Sequence, residues 1–272
     1  MSGIYNALIL HPLTSILVAI YQVFNSLGIP YALAFAIVGL TIVIRLILYP
    51  LMSSQLKASK KMQTVAPHVS RVRDIHKGDS KRIQEETMKI YKEHGINPLA
   101  GCLPALVQLP ILFGLYSVLI KVFRLKGPEV ISEVNRLTYN IDFLKLKEAW
   151  DPTVFGVSLG ASPSQLLGQL GIFILLIPLL TGFFQFVQSK MLYVPQEKKD
   201  GQKKEQDFAA AFQSQATYIF PLMIGFFAFT FPLGLALYWN TFTIFGIIQQ
   251  YKIQGLGSLE KNLLWMQNRL RR

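Results

Sequence analysis

Arg45 is the one charge set inside an apolar run. Residues 1–44 carry no Lys, Arg, Asp or Glu, and the next charge after Arg45 is Lys57. A guanidinium at the centre of a membrane-crossing helix costs at least ~3 kcal/mol, so it turns towards protein or water rather than lipid. Counted from Pro30, it lies about 22 Å along a helix rising ~1.5 Å per residue. That is the far half of a ~30 Å hydrocarbon core. Spacing alone leaves two readings open: a side chain that snorkels to the headgroups, and a cation in a protein-walled polar site.

The other polar groups inside the apolar runs are neutral. Gln108 falls in one run, Gln169 and Gln185 in another, and Tyr238, Trp239, Asn240, Thr241 and Thr243 in the last. Amides and hydroxyls in such places hydrogen-bond between helices, and Tyr and Trp anchor at interfaces. Combined with Arg45 they would line a hydrated groove able to stabilise polar chain segments on their way across a membrane. The site read from the sequence is Arg45, Gln108, Gln169, Gln185, Trp239, Asn240 and Thr243.

This chemistry is binding, not catalysis. There is no P-loop, no Gly-rich dinucleotide turn and no His or Cys ligand cluster, so neither a cofactor nor a metal is expected. His11, His68, His76 and His94 all lie outside the expected spans, and every Asp and Glu is in a loop or tail. An intramembrane protease needs a buried Asp pair, a Ser-His pair or a zinc motif. Proton-coupled transport usually needs an intramembrane carboxylate or histidine. The single cysteine, Cys102, excludes an internal disulfide.

The elements that must position these groups are transmembrane helices. Of 272 residues, 51% are apolar, and they gather in long uncharged runs. Twenty of the 27 Lys and Arg fall in residues 53–96, 189–212 and 251–272, whereas residues 121–165 are nearly balanced. That asymmetry is the positive-inside pattern and predicts that the three basic segments are cytoplasmic. The N-terminus lacks the basic region of a signal peptide, and no transit peptide is evident.

The fold class expected is all-α and polytopic, with five core spans. Residues 1–30 hold an amphipathic interfacial helix, with Leu13, Ile16, Leu17, Ile20, Val23, Phe24 and Leu27 at helical spacing and an uncharged polar face of Ser15, Gln22 and Ser26; an additional membrane span is the alternative for this stretch. A first span covers 31–51, closed by Tyr49-Pro50. Residues 53–96 form a cytoplasmic helical hairpin: Met62, Val65, Val69 and Val72 stripe the first helix, and Ile83, Thr87, Ile90 and Tyr91 the second. Lys77-Gly78-Asp79 supplies the turn, Ser80 caps and Gly95 stops. The alternative for this stretch is a solvated basic connector. A second span covers 97–122, opened by Asn97-Pro98 and holding Pro104 and Pro110, which calls for bundle packing or a wet cavity. An extracytoplasmic loop, 123–164, leads to a third span, 166–187, and a cytoplasmic loop, 189–212. The uncharged stretch from Phe208 to Tyr251, twice the length one span needs, divides at Phe231-Pro232-Leu233-Gly234 into spans 214–231 and 233–251. The basic tail 252–272 is then cytoplasmic and suited to anionic lipid or RNA.

At N-P-L-A-G-C-L-P-A-L-V-Q-L-P-I-L-F-G-L-Y, residues 97–116, the chain resembles the YidC family of membrane protein insertases, which has mitochondrial and chloroplast relatives. R-L-I-L-Y-P-L at 45–51, F-P-L-G-L-A-L-Y-W-N at 231–240 and I-I-Q-Q-Y at 247–251 support the likeness, which covers nearly the whole chain. The resemblance implies five core spans and a single Arg facing a groove open to cytoplasm and lipid, with Arg45 in that place, and an N-terminal helix on the outer surface. It implies insertion without a cofactor, in the bacterial cytoplasmic (inner) membrane, the C-terminus cytoplasmic. Nascent small membrane proteins and membrane lipids are the implied partners, with a ribosome at the basic tail and the Sec translocon as further candidates, and no DNA. Two features of some bacterial members, a large periplasmic domain with an extra span and a lipoprotein signal, are absent from the sequence. That is expected of a compact type or a trimmed chain. Two rival functions stand beside this one: a small solute channel or transporter with Arg45 as its anion site, and an assembly factor that translocates nothing.

Overall fold

The apolar spacing over the first fifty residues folds as a helical hairpin. In the computed structural model, which describes residues 2–76, 78–97, 103–125, 127–193, 208–257 and 259–260, α1 (Ser2–Tyr5) passes through a π-helical turn, Asn6–Leu10, into α2 (His11–Ser26). The chain reverses at Gly28, whose φ of +68° suits glycine, and continues as α3 (Ala32–Ile47). The remaining helices are α4 (Tyr49–Ile75), α5 (Ser80–Glu93), α6 (Leu103–Arg124), α7 (Pro128–Leu137), α8 (Pro163–Leu170), α9 (Leu176–Leu192), α10 (Phe208–Thr230) and α11 (Leu233–Gln254). A two-residue β-hairpin, β1 (Thr153–Val154) and β2 (Val157–Ser158), pairs antiparallel with Val154 opposite Val157. It is a small addition to the all-helical expectation.

The chain divides into two compact units. The first comprises Met1–Leu48, Ala105–Phe184 and Met223–Phe245. Its core is Leu17 and Val18 of α2, Leu33, Ile37 and Leu40 of α3, Leu115 and Leu119 of α6, and Leu235 and Tyr238 of α11, all almost fully buried. Small residues bring the helices together: a β-carbon on Gly39 would stand 3.1 Å from Ile20 Cγ2, and one on Gly114 would stand 2.7 Å from Ile9 Cγ2 and 3.1 Å from Leu13 Cδ1. The segment before α8 is bonded to the head of α11, with Leu233 N–H donating to the Ala161 carbonyl at 2.9 Å and Gly234 N–H to that of Leu159 at 2.8 Å. The expected break at 231–234 is therefore a braced turn. At the start of α8, Ser162 and Gln165 form a reciprocal capping box.

α2 is not bounded by a free polar face. Ser15, expected on that face, is buried and accepts from Tyr139 N–H at 3.0 Å, and Gln22 Nε2 donates to the Lys145 carbonyl at 2.9 Å. Tyr5 Oη reaches the Pro110 carbonyl at 3.1 Å, inside α6. These contacts pack part of the polar side of α2, and Tyr5 of α1, on protein. Among the described residues three helices are long and apolar enough to cross a membrane, Gly3–Ser26, Leu106–Phe123 and Pro163–Leu192. A fourth is counted if Ala32–Ile47 is taken with the helix that follows it. The expectation was five, without the N-terminal helix. α10 contributes a shorter apolar stretch, Gln215–Thr230, and α11 carries polar residues through its middle.

The second unit comprises Tyr49–Pro104, Gln185–Leu222 and Gly246–Arg272. α4 and α5 form the hairpin read from the sequence, with Val65 and Val69 buried and Met62 and Val72 half-buried, while no residue of α5 is fully buried. Its local signals need two corrections. Asp79, not Ser80, caps α5, its carboxylate accepting from Arg82 N–H at 3.0 Å, because a carboxylate one residue earlier reaches the first free amides. α3 ends at Ile47, with Leu48 as its C-cap, one residue before the expected Tyr49-Pro50, and Pro50 sits in the first turn of α4, where a missing N–H costs nothing. Gly95, φ +62°, does end α5. Gln249 Nε2 donates to the Tyr49 carbonyl and to Ser53 Oγ, each at 3.2 Å. The expected helix opening at Pro98, Cys102, Lys77 of the hairpin turn, most of the 189–212 loop and most of the 252–272 tail lie outside the described residues.

Gly114 carries the packing of α2 on α6. Gly114→Ala should cost about 1–3 kcal/mol through overpacking, read as a fall of several degrees in the unfolding midpoint of detergent-purified protein. Gly168→Ala, where an added β-carbon meets nothing within 4 Å, should leave the midpoint unchanged or raise it.

Candidate functional site

Arg45 stands in the last turn of α3 and is 3% exposed. Its position follows from the helical period: Ala36, Ile37, Leu40, Thr41 and Ile44 bury the same side of α3, which carries Arg45 inward with them. Snorkelling would leave the guanidinium in contact with surroundings outside the protein. Instead Nη2 donates to the backbone carbonyl of Phe242. The guanidinium carbon lies 3.4 Å from the centroid of the Phe242 ring and 6.0 Å from that of Phe245. Nε has no hydrogen-bond partner, and among the described residues no carboxylate pairs with Arg45. A desolvated cation normally requires an anion and a full set of acceptors. Here it has one carbonyl and the negative face of one ring.

α11 holds two further polar contacts of the same unit. Tyr238, 1% exposed, accepts at Oη from Gln108 Nε2 of α6, and its ring stacks on Phe242 with centroids 5.9 Å apart at 29°. Asn240 Nδ2 donates to Thr181 Oγ1 of α9 at 3.0 Å, and that hydroxyl donates to the Ile177 carbonyl at 2.8 Å. Gln108 Oε1 and Asn240 Oδ1 are buried without a partner. Thus α11 meets a cation, an amide and a hydroxyl from three other helices within two turns. Each contact leaves a buried donor or acceptor over, at Arg45 Nε, Gln108 Oε1 and Asn240 Oδ1.

The residues read from the sequence separate accordingly. Arg45, Gln108 and Asn240 each touch α11 or belong to it, and Thr243 is buried on it. Trp239 is half-buried on the same helix. Gln169 is exposed on α8, in a shallow pocket lined by Gly156, Val157 and Gln165 beside the β-hairpin, with none of the Arg45 contacts. Gln185 is half-buried on α9 and belongs to the second unit. Phe242 and Thr181 were missed. A threonine in an apolar run was the available signal for Thr181. Phe242 is one of 19 phenylalanines and carries none.

The chain matches the family model described as 60Kd inner membrane protein over residues 24–258. It is 31% identical over 252 residues to the membrane protein insertase YidC of Oceanobacillus iheyensis, covering 91% of this chain and 82% of that one. To the chloroplastic inner membrane protein ALBINO3 of Arabidopsis thaliana it is 30% identical over 250 residues, 88% of this chain but 50% of that protein. Its fold is similar to that in the active YidC insertase crystal structure with the first transmembrane domain resolved, at a TM-score of 0.51 and 24% identity, over 85% of this chain and 46% of that one.

The Gln108–Tyr238 bond should be energetically coupled. Tyr238→Phe and Gln108→Leu should each destabilise by about 1–3 kcal/mol, by leaving the partner's polar group buried and unpaired. The double variant should lose less than the sum, measured as a double-mutant cycle on unfolding. Additive losses would show that the two side chains do not depend on each other.

Proposed function

The chain belongs to the 60Kd inner membrane protein family, that of the YidC insertases, and from that premise we propose that it is a membrane protein insertase whose polar groove is organised by Arg45. The observation that carries the reading is the buried guanidinium, which has no carboxylate partner among the described residues. A cation held in this way gains from any anion that reaches it. An acidic tail of a small membrane protein supplies one, and its charge is stabilised at a depth where the bilayer alone would reject it. The distance left to cross is then shorter than the full hydrocarbon core. Burial of the substrate's own apolar segment, at ~25 cal/mol per Å² of apolar surface, drives completion.

The other expected groove residues act with Arg45 in this reading. Gln108, Asn240 and Thr243 offer neutral hydrogen bonds to a passing backbone, with Trp239 beside them on α11. The α4–α5 hairpin receives the substrate on the cytoplasmic side, and the basic tail, residues 252–272, faces the same compartment and docks a ribosome. The setting is the bacterial inner membrane, with nascent small membrane proteins and lipid as the partners and the Sec translocon as a possible co-worker.

The test is protease protection in protein-free liposomes containing the purified protein, with a single-span substrate bearing an acidic N-terminal tail. Tail protection should require the protein and fall about tenfold or more with Arg45→Ala, the loss expected of one charge-assisted hydrogen bond. Arg45→Lys should keep much of the activity, since a cation matters more here than a fork of donors. Equal protection with Arg45→Ala would remove Arg45 from the mechanism. Solute flux without any protection would identify a channel instead.

A further inference from the structure

We propose that Phe242 sets the selectivity of the Arg45 site for acidic over neutral polar tails, an inference that rests on the insertase reading above. Phe242 holds the guanidinium in two ways at once, through its backbone carbonyl and through its ring, which lies 3.4 Å from the guanidinium carbon. The ring is itself positioned: it stacks on Tyr238, which is 1% exposed and bonded to Gln108. An arriving group therefore meets a cation that is already partly satisfied by a pre-set π face.

Displacement decides what enters. A carboxylate forms short, charge-assisted and often bidentate bonds to a guanidinium, roughly twice as strong as neutral ones. It takes over the unpaired Nε and replaces the ring and carbonyl with a net gain. A serine or glutamine side chain offers a neutral acceptor and, against the same ring and carbonyl, gains little. The resting contact is thus a threshold that anionic tails pass and neutral tails do not. Without the ring, Arg45 would be less satisfied at rest and would accept neutral polar groups more readily.

The experiment compares two substrates that differ only in the tail, one with Asp and Glu and one with the matching Asn and Gln, inserted by full-length protein in liposomes. Phe242→Leu should lower the acidic-to-neutral insertion ratio by about tenfold, the scale of a desolvated cation–π contact, mainly by raising neutral-tail insertion. Phe242→Tyr, which keeps the π face, should preserve the ratio. A second readout needs no insertion: phenylglyoxal modification of Arg45, followed by peptide mapping of substrate-free protein, should accelerate in Phe242→Leu but not in Phe242→Tyr. Should Phe242→Leu not yield folded protein, Phe242→Met, close in volume and lacking the ring, takes its place in both assays. An unchanged ratio and an unchanged modification rate, with Arg45→Ala still impaired, would overturn the role of Phe242 and leave the insertase reading standing. Full insertion by Arg45→Ala would remove Arg45, and with it the role of Phe242, and would leave the chain an insertase.

Discussion

A guanidinium buried against the middle of α11 is the constraint around which the first unit is arranged. Arg45 reaches its place because five apolar or small neighbours on α3 bury the same side, and it stays there because α11 presents a carbonyl and an aromatic face. Neither is a counter-ion. The cost of taking the charge out of water is offset only in part, so the position is hard to explain as a stabilising feature. The proposed function gives the charge a reason to be there, as a group that an arriving substrate completes.

The same incompleteness recurs within the preceding helix turn of α11. Gln108 bonds Tyr238 through its amide nitrogen and leaves its oxygen over, and Asn240 does the same against Thr181. All three contacts converge on residues 238–242, in the middle of a helix that is not among those apolar enough to cross a membrane by composition. A helix of that kind is retained in a bundle because its neighbours satisfy part of its polarity. The brace from the Leu159–Ala161 segment to Leu233 and Gly234 fixes where it starts, and so where residues 238–242 lie along the bundle.

Much of this was legible beforehand, for an identifiable reason. In a chain of long apolar runs each polar residue is an exception, so Arg45, Gln108 and Asn240 declare themselves, and family resemblance assigned Arg45 a place. Depth and facing are not written so plainly. Gln169 and Gln185 look equivalent to Gln108 in composition, yet one is exposed on α8 and the other lies in the second unit. Phe242 was invisible because its contribution is geometric: nothing distinguishes it from its aromatic neighbours until Arg45 lies over its ring. Ser15 and Gln22 read as an uncharged polar face, and a helical wheel cannot show which loop will fold back on it. The caps and breaks were read to within one or two residues, Asp79 for Ser80 and Leu48 for Tyr49, as local backbone signals allow.

Whether Arg45 is kept for what it receives, and not for what it holds together, is decided most directly by the stability of Arg45→Met. This substitution removes the charge and retains a flexible apolar side chain of similar reach. Thermal unfolding of the purified full-length variant in detergent should give a midpoint equal to or above that of the unsubstituted protein, because replacing a poorly compensated buried charge with an apolar group is often neutral or stabilising. A midpoint lower by many degrees would mean that the Arg45–Phe242 contact is a structural bond, and would contradict the account.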